Sequence, residues 1–191
     1  MIAGLTIAIA QVNPVVGNID YNLGLVRKAL EESKGADIVV FPELVVSGYS
    51  PEDLILKKSF VRQCMDAAQK FILSCRDMPA FILTTPWLNG DDTYNAALFV
   101  ETGEIKSIVY KNNLPNYGVF DERRVFKSGP LPEPVEFKGR KIGILICEDI
   151  WFEEGAKHLK SRGAEIILSP NGSPYSTTKR ERRLEIARAR I

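Results

Sequence analysis

A short apolar run that breaks into a cysteine and two acids constrains this chain most. Residues 142–146 read Ile-Gly-Ile-Leu-Ile. An uncharged run with β-branched residues is typical of a strand buried on both faces of a parallel or mixed sheet. Cys147, Glu148 and Asp149 follow directly, and a helix is predicted over Phe152–Ser161. The pattern therefore predicts a cysteine at the turn from a buried strand into a helix.

Cys147 has two interpretations at such a turn. The turn lifts the side chain out of the sheet and directs helix N–H groups towards it, and this positive environment favours the nucleophilic thiolate. The alternative is simple packing, because cysteine is among the most buried residue types and often ends an apolar strand. The stretch alone favours packing, whereas the acids that follow it and the partners described below favour a nucleophile.

The composition limits the class of protein. The 191 residues allow one sizeable domain, and the 45% hydrophobic and 26% charged content is ordinary for a globular chain. A net charge of +1 gives no reason to expect a nucleic-acid or membrane partner. No signal peptide or membrane span is predicted. Three cysteines are a poor basis for a set of disulfides, so we expect a reducing, cytoplasmic location. With only one histidine besides, a structural zinc site is not indicated.

Apolar segments and turn residues predict alternating strands and helices. The predicted strands are Leu5–Gln11, Asp37–Phe41, Ala80–Trp87, Tyr94–Val100, Ile105–Tyr110, Ile142–Ile146 and Ala164–Ser169. The predicted helices run from a cap at Asp20 or Asn22 to about Ser33, from a start signal at Ser50-Pro51 past Cys64 to Cys75, over Phe152–Ser161, and over Lys179–Ile191. With a β-meander in the middle, this order predicts a layered α/β fold. Residues 112–134 form a long, functional loop.

Three polar residues each follow an apolar strand: Glu43, Lys111 and Cys147. Ligands of open α/β sheets gather at the carboxyl ends of strands, so neighbouring strands would bring the three side chains into one pocket. There Glu43 is a candidate base, Lys111 a fixed positive charge and Cys147 a nucleophile. Each residue alone has a simpler structural explanation, but the coincidence of three favours a site. His158 lies mid-helix among lysines, so a Ser-His-Asp triad is not indicated.

The motifs around these residues resemble a known family. The Phe-Pro-Glu-Leu of residues 41–44, Lys111 with a following Leu-Pro, and the Cys-Glu-Asp of residues 147–149 resemble the nitrilase superfamily of carbon–nitrogen hydrolases. More closely, residues 111–123, 147–151 and 171–175 resemble the glutaminase domains of glutamine-dependent NAD synthetases. The resemblance covers the whole chain and implies a nitrilase-like α-β-β-α sandwich with a Glu-Lys-Cys triad.

The resemblance also implies roles for individual residues. Glu43 becomes the proton acceptor, Lys111 the electrostatic stabiliser and Cys147 the nucleophile that forms a thioester with glutamine. Glu122 matches a second carboxylate near the triad, with a supporting role. The residues implied to hold the glutamine substrate are Tyr117, Ser173 and Lys179.

The resemblance further implies how the chain is organised. We expect residues 1–191 to be a glutaminase domain that is incomplete at its C-terminus, because the family's sandwich has further strands beyond 179–191. We also expect the ATP-dependent synthetase domain, which amidates deamido-NAD with the released ammonia, to lie outside these residues. Glutamine hydrolysis needs no cofactor or metal, and ATP and Mg²⁺ belong to that other domain. The expected partners are glutamine, the synthetase domain and further copies of the chain.

Three alternatives remain open at this point. The first is a free-standing amidase of the nitrilase superfamily that acts on another small amide or nitrile. The second is an inactive domain that only dimerises or scaffolds. The third takes the basic run of residues 179–183 as a nucleic-acid patch, but Glu181, Glu185 and the apolar stripe of the helix favour an ordinary solvated face.

Overall fold

The computed structural model of the chain describes residues 4–174 and 179–190, and of Lys179 only the backbone. Within these residues the strands are β1 (Ile7–Ile9), β2 (Ile38–Val40), β3 (Ala80–Asn89), β4 (Asp92–Glu101), β5 (Glu104–Tyr110), β6 (Val135–Phe137), β7 (Arg140–Ile144) and β8 (Ile166–Leu168). The α-helices are α1 (Ile19–Glu32), α2 (Lys58–Leu73), α3 (Glu122–Val125), α4 (Glu153–Ser161) and α5 (Lys179–Arg188), and 3₁₀ helices form at Glu52–Leu56 and Cys147–Trp151. In the described part of the chain, none of the helices is both long and apolar enough to cross a bilayer.

The strands form two sheets. The five-stranded sheet has the order β1-β2-β3-β4-β5, in which β1, β2 and β3 are parallel and β3, β4 and β5 form the predicted antiparallel meander. The three-stranded sheet has the order β6-β7-β8, and the buried strand β7 pairs in parallel with β8. Strand β6 pairs with β7 in the antiparallel direction, and a short turn connects the two strands.

The two sheets face each other and helices cover their outer faces. An apolar cluster fills the space between the sheets, where the rings of Phe99 and Phe137 meet edge to face with centroids 5.6 Å apart. Helices α1 and α2 pack on the other face of the five-stranded sheet. Helix α4 covers the three-stranded sheet through Leu159, which contacts Leu145. The layers are therefore α-β-β-α, and the predicted sandwich is confirmed.

The start of α1 differs from the prediction. Asn18 caps this helix, because its side chain accepts a hydrogen bond from the backbone N–H of Tyr21 at 3.2 Å. The predicted caps, Asp20 and Asn22, were wrong. Asn22 is instead buried inside the helix and donates to the carbonyls of Val15 and Val46. Its amide hydrogen bonds to loops beside the helix, and sequence rules for helix starts do not predict such contacts.

The start signal at Ser50-Pro51 also leads to a different element. A 3₁₀ helix follows it, and α2 begins only at Lys58. Glu52 has a positive φ of 44°, which a right-handed α-helix does not accommodate. Cys64 is buried within α2, and Cys75 is buried two residues beyond the end of the helix. Both cysteines pack in the core, as predicted.

We predict that Gly143→Ala destabilises the fold. Gly143 lies in β7 beneath α4, and a Cβ there would lie 2.6 Å from the Cδ1 atom of Leu159, which is fully buried. Overpacking of this kind costs about 1–3 kcal/mol. Urea unfolding measures the loss, with Gly24→Ala on the open face of α1 as the control. The control should gain about 0.5–1 kcal/mol. A Gly143→Ala protein as stable as wild type would contradict the packing of α4 on β7.

Candidate active site

The structure brings together the three residues that the sequence singled out. Glu43 lies three residues beyond β2, Lys111 directly follows β5, and Cys147 lies three residues beyond β7. Two of these strands belong to the five-stranded sheet and one to the facing sheet. The exposed fraction is 0% for Glu43 and Lys111 and 3% for Cys147. Two charged groups therefore lie beside a sulfur in a site that is shielded from water.

The carboxylate of Glu43 is fixed by donors on both oxygens. Its Oε1 atom accepts from Lys111 Nζ at 2.6 Å and from Asn95 Nδ2 at 2.8 Å. Its Oε2 atom accepts from the backbone N–H of Gly172 at 3.0 Å, and the negative charge of the carboxylate acts on the thiol of Cys147. A Cβ at residue 172 would lie 3.0 Å from Oε2. Glycine there lets the backbone approach the base closely.

Lys111 lies between two carboxylates. Its Nζ atom donates to Glu43 at 2.6 Å and to Glu122 at 2.8 Å. Burial lowers the pKa of Lys111, but the negative charges of the two carboxylates raise it by more, so its pKa lies above the ordinary value. Burial, and then the charge of Glu43, raises the pKa of Glu122 to about 7. Tyr49 donates its hydroxyl to Glu122 at 3.2 Å.

Cys147 occupies a strained turn but is not a thiolate at rest. Its φ of +46° is in the left-handed region, which non-glycine residues enter mainly where the surroundings enforce it. Its backbone N–H donates to the carbonyl of Pro170 at 2.8 Å. Burial, and then the charge of Glu43, raises the pKa of the thiol. The predicted thiolate was wrong, since burial and a nearby carboxylate outweigh the first turn of a five-residue 3₁₀ helix.

Asp149 joins the turn of Cys147 to the loop after Lys111. Its Oδ1 atom accepts from the backbone N–H of Asn113 at 2.6 Å and of Asn112 at 3.2 Å, and from Asn113 Nδ2 at 3.2 Å. Its Oδ2 atom accepts from the backbone N–H of Ile146 at 3.1 Å. Burial raises the pKa of Asp149 to about 6, in opposition to these donors.

Two of the predicted substrate residues, Tyr117 and Ser173, line different cavities. Tyr117 lines a cavity of about 350 Å³ and donates its hydroxyl to the two carboxylate oxygens of Glu148 at 2.9 and 3.0 Å. Ser173 lines a different cavity, of about 320 Å³, with Trp151. The side chain of Lys179 lies outside the described residues, so its predicted role stays a prediction.

The sequence did not point to several residues that shape the site. Asn95 is the polar member of an otherwise apolar strand segment, and this was a signal that could have been read. Glu148 and Asp149 were noticed beside the cysteine, but the pattern gave them no separate roles. Tyr49 carries no recognisable signal, and Gly172 was noticed only as part of the motif of residues 171–175, because the contacts of both depend on which loops meet across the sandwich.

Comparison with known families and proteins gives a consistent result. Residues 6–190 match the family model described as carbon-nitrogen hydrolase. The chain is 41% identical over 179 residues to the glutamine-dependent NAD(+) synthetase of Thermotoga maritima, which covers 92% of this chain and 31% of that protein. The corresponding protein of Aquifex aeolicus is 38% identical, with 92% and 31% covered. The chain therefore spans about a third of the length of these curated relatives.

Solved structures share the same fold. A glutamine-dependent NAD+ synthetase from Acinetobacter baumannii, solved in complex with ADP, superposes with a TM-score of 0.89 at 36% identity, over 94% of this chain and 34% of that chain. A mutant amidase of the nitrilase superfamily from Nesterenkonia superposes with a TM-score of 0.80 at 22% identity, over 97% of this chain and 71% of that chain. The amidase supports the fold alone.

We predict that Glu122→Gln changes how stability depends on pH. The pKa of Glu122 rises from 4.5 to about 7 on folding, so between these values the folded chain binds a proton that the unfolded chain releases. The free energy of unfolding therefore falls as pH rises through this window. The variant should lose less stability between pH 4.5 and 7, by on the order of 2 kcal/mol. Urea unfolding across this pH range tests this against Glu136→Gln, an exposed control. Parallel curves for Glu122→Gln and wild type would contradict the shifted pKa.

Proposed function

Because the chain belongs to the carbon–nitrogen hydrolase family, we propose that it is the glutamine-hydrolysing part of a glutamine-dependent NAD synthetase. The observation that carries the proposal is the buried ion pair of Lys111 with Glu43, 2.6 Å long, beside the buried thiol of Cys147, whose pKa the charge of Glu43 raises. In the longer protein, an ATP- and Mg²⁺-dependent domain takes the ammonia and amidates deamido-NAD. The similarity to curated synthetases over nearly the whole of this chain supports that assignment.

Glu148 suits the amino end of the substrate. It is the residue next to Cys147, and its carboxylate receives a hydrogen bond from Tyr117. An ionised carboxylate has about four acceptor positions, so one phenol leaves capacity for a cation such as the α-ammonium of glutamine. The cavity that both residues line, about 350 Å³, is large enough for part of an amino acid.

The first chemical step joins the sulfur to the substrate. The thiol of Cys147 gives its proton to Glu43, and the sulfur attacks the carboxamide carbon of glutamine. Negative charge then develops on the carboxamide oxygen. The ammonium of Lys111 has three N–H donors, of which Glu43 and Glu122 take two, so the third is available to this oxygen. The loss of one such donor typically raises the barrier by about 2.7–4 kcal/mol.

The later steps return the enzyme to its resting state. Glu43 passes its proton to the amide nitrogen, the carbon–nitrogen bond breaks, and ammonia leaves while a thioester remains on Cys147. Water then gives a proton to Glu43 and attacks the thioester carbon, so that glutamate leaves and the sulfur regains its proton. Glu122 contacts Lys111 rather than the reacting atoms, and it holds the ammonium in place throughout.

Cys147→Ala tests the assignment of the nucleophile. The variant should fold with a thermal midpoint close to that of wild type, because it removes one sulfur from a shielded site. It should lose glutamine hydrolysis, measured as released glutamate, by at least about 10³-fold, since the chain then lacks its covalent intermediate. Cys75→Ala, which removes a buried thiol outside the site, is the control and should keep its activity. Hydrolysis by Cys147→Ala near the wild-type rate would refute the proposal.

A substrate comparison separates this function from that of a general amidase. Glutamine should exceed short aliphatic amides in kcat/KM by about 10²-fold or more, because a site with buried polar groups discriminates against substrates that leave those groups unpaired. Glu148→Gln should reduce this preference while Tyr21→Phe, an exposed control, keeps it. Equal kcat/KM values for glutamine and propionamide would instead favour a free-standing amidase.

A further inference from the structure

We propose that Asp149 is a positioning residue, whose carboxylate sets the distance between the ammonium of Lys111 and the sulfur of Cys147. The proposal rests on the proposed hydrolysis of glutamine, in which these two groups act on one carboxamide. Asp149 itself contacts neither the substrate nor the reacting atoms in this scheme. It acts through the backbone next to them.

The contacts of Asp149 flank both reacting residues. Asn112, whose backbone N–H lies 3.2 Å from Oδ1, directly follows Lys111. Ile146, whose backbone N–H lies 3.1 Å from Oδ2, directly precedes Cys147. The shortest contact, 2.6 Å, comes from the backbone N–H of Asn113. A single planar carboxylate thus bridges the backbone on either side of the site.

The architecture explains why such a bridge is needed. Lys111 follows a strand of the five-stranded sheet, whereas Cys147 follows a strand of the facing sheet. The two sheets meet through an apolar cluster, and apolar contact is not directional. Hydrogen bonds to an ionised acceptor are shorter and more strictly oriented, so they fix a relative position that apolar packing leaves loose. Gly172 makes the equivalent connection for Glu43.

The cost of burying Asp149 also favours a role in the reaction over a role in stability. The side chain is 2% exposed, and burial raises its pKa to about 6. A pKa above the ordinary value means that ionisation of Asp149 costs more in the folded chain than in the unfolded chain, so the ionised group lowers the free energy of unfolding. At neutral pH the group is nevertheless ionised and can only accept hydrogen bonds, as all of its neighbours require.

Asp149→Asn is the decisive variant. It keeps the size of the side chain but replaces one oxygen by an NH₂ group, which would face an N–H donor and push one segment away. A misplacement of about 1 Å can cost about 10²-fold in rate, so we expect kcat for glutamine to fall by about that factor. KM should stay within about threefold, because ground-state contacts of the substrate remain. Asp91→Asn, fully exposed at the turn between β3 and β4, is the matched control and should leave both constants unchanged.

Further measurements keep the proposal falsifiable. If Asp149→Asn does not fold, Asp149→Glu takes its place, since it keeps the charge but moves the carboxylate by one methylene, which displaces the bridged segments and should lower kcat in the same way. A kcat within threefold of wild type in whichever folded variant is measured would overturn the proposal. If wild type does not hydrolyse glutamine, the proposed function fails. A crystal structure of the variant then decides on Asp149: separation of Asn112 from Ile146 supports it, and unchanged positions overturn it.

Discussion

The rest of the site depends on the ion pairs that the buried ammonium of Lys111 makes with Glu43 and Glu122. Two carboxylates, those of Glu43 and Glu122, share this one cation away from water. Buried ions are costly unless each has a partner of opposite charge, so removing Lys111 would leave two buried carboxylates without a counter-charge. The site carries one negative charge in excess when all three are ionised. That excess contributes to the raised pKa values of Glu122 and of the Cys147 thiol.

This electrostatic arrangement decides how the cysteine must work. A thiol whose pKa is raised does not ionise on its own at neutral pH. In the proposed reaction it needs a base beside it, and the buried carboxylate of Glu43 is the candidate for that base. Asn95, Lys111 and Gly172 direct the oxygens of this base. In the proposed mechanism the nucleophile therefore forms as Glu43 accepts the proton of the thiol.

Much of the fold, and the meeting of Glu43, Lys111 and Cys147 in one buried site, could be predicted from particular residues. The apolar run before Cys147 and the polar residues after two other strands pointed to the three residues that meet, although their strands lie in two facing sheets and are not neighbours in one sheet, as the prediction assumed. The meander from Ala80 to Tyr110 was also evident from its turn residues. In each of these cases, local patterning and the tertiary fold agree.

The remaining features depend on contacts that no local pattern contains. The state of the Cys147 thiol follows from burial and from Glu43, 104 positions earlier in the chain, so a rule about helix termini predicted the wrong charge. Glu52 adopts a positive φ where the capping signal predicted an α-helix. Asn22 faces two loop carbonyls rather than the helix end. The states of Cys147 and Asn22 depend on which segments the sandwich places side by side.

The central claim is that a covalent intermediate forms on Cys147, and mass spectrometry of chain quenched with acid during turnover of glutamine tests it most directly. The account predicts a glutamyl adduct on the peptide that contains Cys147, and none on those that contain Cys64 or Cys75, which are buried in the core. Steady hydrolysis of glutamine with no adduct on Cys147, or with adducts spread over the three cysteines, would contradict it.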